Sequence, residues 1–135
     1  MSQRIVKVFG DTLTMIKGFN VDIYGCEVSF AWNTHPKELS AFLDKYELGE
    51  DAKEQFFSIL NESSKAGAIT IQIADTVNNI VVFFEEPNNK VVAHELYHVA
   101  CRIMEDRNIK EEESWAYLIG YLTEMFYDLY LEESK

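Results

Sequence analysis

A chain of 135 residues with 47% hydrophobic and 26% charged side chains is long enough to bury one core, and that composition excludes a disordered polymer. Its net charge of −11 repels phosphate backbones and disfavours nucleic acid as a main partner. No apolar run approaches the ~18 residues of a membrane span, and the Met-Ser-Gln-Arg start leads into an alternating run and not into an apolar signal core. Cys26 and Cys101 lack C-x-x-C spacing and read as free thiols of a reducing cytoplasm.

In chain order, residues 4–9 alternate polar and apolar, which predicts a strand. Gly10-Asp11 and Gly18-Phe19-Asn20 look like turns, and the segment between them fits either state. Residues 22–32 are rich in β-branched and aromatic side chains, broken at Gly25, and predict a second strand. Asn33-Thr34-His35-Pro36 signals a helix start, with Thr34 as cap, Pro36 in the first turn and Leu39, Phe42 and Leu43 as the apolar face. His35 reads as a surface turn residue, because nothing near it has ligand spacing. A helix over 51–64 is expected on Phe56, Phe57, Ile59 and Leu60. Residues 68–74 and 80–86 both alternate with period 2 around the turn-forming 75–79, a β-hairpin pattern. Pro87-Asn88-Asn89 stops the second strand; a helix capped by Asn89 runs to about Arg107, and a last helix covers about 109–132. Without repeats or linkers, residues 1–135 read as one α+β domain.

The third helix carries the chemistry. His94 and His98 stand four apart with Glu95 between them, the H-E-x-x-H pattern. On a helix, residues four apart share one face with Cβ atoms about 5–6 Å apart, so both imidazoles can converge on one ion. Catalytic zinc takes such nitrogens at about 2.0–2.1 Å and leaves its fourth position to water. Glu95 projects about 100° round the helix, where a general base for that water belongs. An amphipathic helix with two solvent-facing histidines is the plainer alternative. Helical phase argues against it: Val92, Leu96, Val99 and Ile103 form the core stripe, while His94, His98 and Cys101 cluster opposite.

A catalytic zinc site needs a third protein ligand. Cys101 is seven residues from His94, about 10 Å along the axis, and Glu105 is farther still. In Glu111-Glu112-Glu113, the helix dipole and the capping-box spacing of Asn108 with Glu111 account for Glu111, and Glu112 reads as solvated. Glu113 shares a face with Ala116, Tyr117 and Gly120, apart from the stripe Trp115, Ile119, Leu122, Phe126 and Leu129. Small residues at 116 and 120 would let the motif helix fold back close and receive the Glu113 carboxylate; Glu112 is the next choice.

His94-Glu95-x-x-His98 followed by Glu113-x-x-Ala116-Tyr117-Leu118-x-Gly120-Tyr121 resembles the gluzincin class of zincin metallopeptidases, in particular its small phage-encoded members, from about Tyr24 to Met125. That resemblance implies a small zincin-like fold: a mixed or antiparallel sheet of about three to four strands packed against the H-E-x-x-H helix, then a C-terminal helix bearing the third ligand. It implies Zn2+ held by His94, His98 and Glu113, with Glu95 as base. The strand Ile80–Glu86 would be the edge that pairs with an extended peptide or protein substrate. Ser114 stands where members often have Pro. The location implied is the cytoplasm, the host's if phage-encoded. Tyr117 is the candidate oxyanion donor, ahead of Tyr97. The competing reading is a zincin-fold metal-binding module, catalytically weak or inactive, that works through protein–protein binding. A metal-free protein with a fortuitous motif is a third. Phe126, Tyr127 and Tyr130 could serve a contact between copies, but nothing in the sequence sets an oligomeric state.

Overall fold

A computed structural model describes residues 6–9, 12–32, 34–63, 65–74 and 76–134. Five strands form one sheet: β1 (Val6–Phe9), β2 (Thr12–Val21), β3 (Cys26–Trp32), β4 (Ala68–Gln72) and β5 (Asn79–Phe83), in the order β1-β2-β3-β5-β4. Every neighbouring pair is antiparallel except β3 with β5. Helices α1 (Pro36–Asp44) and α2 (Glu50–Glu62) lie in the crossover from β3 to β5, and α3 (Asn89–Asp106) and α4 (Glu112–Ser134) follow β5.

Strand alternation assigns each helix pair to a face of the sheet. Ala31, Ile71, Ile80 and Val82 are buried in one cluster with Leu39, Phe42, Leu43, Phe56 and Leu60 of α1 and α2. Their neighbours Phe30, Trp32, Val81 and Phe83 are buried in another with α3 and α4. A period of two residues along a strand produces this division, and full burial stabilises by about 1.5–3 kcal/mol for each large apolar side chain. Among the described residues no helix is long and apolar enough to cross a membrane.

The α+β class, the mixed sheet, the 68–74/80–86 hairpin and the last two helices match expectation. The sheet has one strand more than the expected three to four, because Thr12–Val21 is a ten-residue strand and not a turn-bounded segment. Gly18 is not a turn residue. It pairs with Ser29, and a Cβ there would stand 2.7 Å from Ser29 Oγ and 2.8 Å from the Val28 carbonyl oxygen, so only glycine permits this approach. Gly25 does break the second predicted strand, in left-handed conformation (φ 62°) after a short 3-10 turn over Asp22–Tyr24. At α1 the cap is His35, whose Nδ1 accepts from Lys37 N at 3.1 Å, while Thr34 Oγ1 donates to the Trp32 carbonyl instead. Residues 4–5, the Gly10-Asp11 turn, Asn33 and Asp75 lie outside the described residues.

One correction bears on function. The strand over residues 80–86 is not an edge: β5 has β3 on one side and β4 on the other, so the edge beside the motif helix is β4.

Candidate functional site

Asn88, one residue earlier than expected, caps α3 by accepting from Val91 N at 3.1 Å. The core stripe Val92, Leu96, Val99 and Ile103 is buried as its spacing requires, and this fixes the rotation of the helix against the sheet. That rotation brings His94 and His98 together on the outer side. Their Nε2 atoms are 3.1 Å apart, with ring centroids at 4.7 Å and planes at 78°.

Glu95 is held differently. Only 6% exposed, it accepts a hydrogen bond from Thr70 Oγ1 to Oε1 at 2.8 Å; its other oxygen, Oε2, stands 3.7 Å from His94 Nε2. Thr70, on β4, is itself only 3% exposed. One turn past His98, Arg102 Nη1 donates to the Thr70 main-chain carbonyl at 2.8 Å. Edge strand and motif helix are thus joined at two points on one residue, and the carboxylate keeps one oxygen anchored and one turned to the imidazoles. Neither Thr70 nor Arg102 was singled out from the sequence. Thr70 occupies the polar phase of an alternating strand, which reads as solvent-facing until α3 is known to cover it.

Beside the imidazoles runs a groove of about 720 Å³, walled by Ala66, Gly67 and Ala68 ahead of and on β4, and by Lys90, Val91, Ala93, Tyr97 and the three motif residues. Main-chain pairing shows which β4 groups face outward. Gly67 O and Ile73 N bond to the β5 side, at Phe84 N and Asn78 O, so by alternation Ala68, Thr70 and Gln72 turn their N–H and C=O to the free edge. Arg102 takes the Thr70 carbonyl and leaves the Ala68 end open along the groove.

The α3–α4 turn is tight. Asn108 adopts φ 54°, and Asn108 N to Glu105 O (3.1 Å) with Ile109 N to Met104 O (2.9 Å) closes a Schellman pattern. Asn108 therefore ends α3 and does not cap α4. The last helix is turned from its expected phase: Leu118, Leu122, Met125, Phe126 and Leu129 are its buried residues, while Trp115 and Ile119 are only half-buried. Glu113 is exposed in the first turn, and Tyr117, 77% exposed, lines a cavity with Asp22, Ile23 and Tyr24 away from the histidine groove. Gly120 is exposed, with nothing within 4 Å of an added Cβ, so close approach of α3 is not what it serves. Tyr97, ranked behind Tyr117 as oxyanion donor, lines the groove, its ring centroid 6.5 Å from that of His98.

Two donors at ~2.05 Å from one tetrahedral ion lie roughly 3.3 Å apart. The 3.1 Å between the two Nε2 atoms fits two such positions, and an anchored carboxylate beside them fits the base. Among the described residues no group of three or more His, Cys, Asp or Glu is spaced to hold a metal ion, so Glu113 is not brought to the pair. The cysteines are free; burial pushes the Cys26 thiol up to about 11, against the opposing charge of Arg107, so it stays protonated in the core. No family model, curated protein or solved structure matches the chain.

Proposed function

We propose that this protein is a zinc-dependent peptide hydrolase of zincin type, with His94 and His98 as two ligands, Glu95 as general base and, as the third ligand, Glu113, the residue the gluzincin resemblance implies although it stands apart from the pair in this structure. The observation that carries the reading is the convergence of two imidazole nitrogens beside a buried carboxylate whose free oxygen faces them. When bound, zinc would polarise the scissile carbonyl and ease deprotonation of the attacking water. Glu95 takes that proton on Oε2 and returns it to the leaving amine, while Thr70 holds Oε1 and fixes the carboxylate plane. The substrate is an extended peptide that adds to the outer edge of β4 at Ala68, where main-chain groups face the groove. Tyr97, and not Tyr117, borders that groove and is the phenol positioned near the reacting carbonyl.

Glu113 is exposed in the first turn of α4. The start of α4 abuts the motif helix through Trp115 and Tyr97, whose ring centroids are 6.3 Å apart. Its exposure also gives weight to a second reading, a zincin-fold metal-binding module that acts through protein–protein contacts. Incubation with a denatured-protein peptide library, with and without chelator, separates them: chelator-sensitive cleavage supports the hydrolase, and intact peptides support the module. In the same preparation Glu113→Ala is expected to lower zinc per chain by elemental analysis. Unchanged stoichiometry would remove Glu113 from the site and make Glu112 the residue to test.

A further inference from the structure

A second cavity, of about 680 Å³, lies between the C-terminal half of α3 and the start of α4, and Tyr97 is the wall it shares with the histidine groove. We propose that this cavity is a subsite for an arginine or lysine side chain of a peptide whose backbone lies in that groove. The placement rests on the peptidase reading; the preference for a cation does not.

Aromatic faces form one side. Tyr97 is 54% exposed, its ring tilted 43° to Trp115, and Trp115 is fixed by Nε1 donating to the Ile109 carbonyl at 2.9 Å. An exposed tyrosine and a pinned indole present π-faces that attract a guanidinium or ammonium group. Glu105 and Glu112, both exposed, also line the cavity, against one cation, Lys110, which leaves the lining with one net negative charge. Ile109 and Ile119, both half-buried, supply apolar surface for an aliphatic stem. The cavity has ample room for one long side chain, and the chain's charge of −11 draws basic peptides toward it.

The test is a titration of the full chain, in EDTA, with blocked Ala-Arg-Ala, Ala-Leu-Ala and Ala-Glu-Ala, read by indole emission. The arginine peptide should quench saturably and bind about tenfold or more tighter than the glutamate peptide, with affinity falling as salt rises. Trp115→Phe should abolish the signal, which separates it from Trp32. The Glu105→Gln/Glu112→Gln double variant should weaken binding about tenfold; both side chains are exposed, so the fold is kept. Equal binding of the leucine peptide, absence of saturable quenching, or unchanged affinity in the double variant would overturn the proposal. Metal is absent throughout, so such a failure leaves the hydrolase reading standing, and lack of cleavage elsewhere leaves this result standing.

Discussion

Glu95→Gln is expected to retain zinc and to lose peptide hydrolysis by about 10²–10⁴-fold, the range of a positioned general base. The substitution is narrow by construction. Glutamine keeps the shape of the side chain and an Oε1 that can still accept from Thr70, so the 2.8 Å contact and the packing around it survive. What is removed is the proton acceptor at Oε2, the atom that faces His94 at 3.7 Å. Calorimetric zinc affinity and hydrolysis rate should therefore part company in this variant. If cleavage continued at the wild-type rate, Glu95 would not be the base.

Thr70→Val is expected to lower stability by about 1.5–3 kcal/mol. Valine matches threonine in shape but carries no donor, and its site is only 3% exposed, so water does not replace the lost hydrogen bond. A hydrogen bond to a charged group is worth about 1.5–3 kcal/mol, and leaving the carboxylate of Glu95 unpaired beside a strand costs at the upper part of that range. The bond from Arg102 to the Thr70 main chain is untouched, so the strand stays attached to the helix and the loss isolates the hydroxyl. Urea unfolding should show a lowered midpoint with unchanged slope, and Thr70→Ser should recover most of the loss. A change under about 0.5 kcal/mol, the scale of a neutral surface substitution, would mean that the hydroxyl does not anchor the base.

The motif helix was the most legible part of the chain, and for a definite reason. Val92, Leu96, Val99 and Ile103 repeat at three and four residues, polar groups fill the other side, and so the burial side and the imidazole pair both follow from spacing. The hairpin of β4 and β5 was legible from period 2 and a short turn. The partner of β5 on its other side was not, because the parallel pairing to β3 joins segments far apart in sequence and leaves no local mark. Gly18 misled because a glycine in a strand and a glycine in a turn look alike until Val28 and Ser29 are seen against it.

The rotation of α4 is the instructive case. Trp115, Tyr117, Leu118, Ile119, Tyr121, Leu122, Met125 and Phe126 place large apolar side chains on almost every side of the helix. Several stripes then satisfy the same periodicity, and the one centred on Leu118, Leu122 and Met125 is the one the sheet accepts. The two stripes share Leu122, Phe126 and Leu129, so the faces differ by only about 40° of helix, less than half of one residue's 100° step. Glu113 and Tyr117 lie on the side of α4 away from its buried stripe, and both are exposed and stand apart from the histidines, whereas the residues read from α3 come together.

The most direct measurement is a calorimetric titration of zinc into protein stripped with EDTA and dialysed, with His94→Ala titrated alongside. One saturable site per chain, lost in the alanine variant, is the result expected from two imidazole nitrogens 3.1 Å apart. No saturable heat in the wild type, or equal binding when His94 is gone, would contradict it.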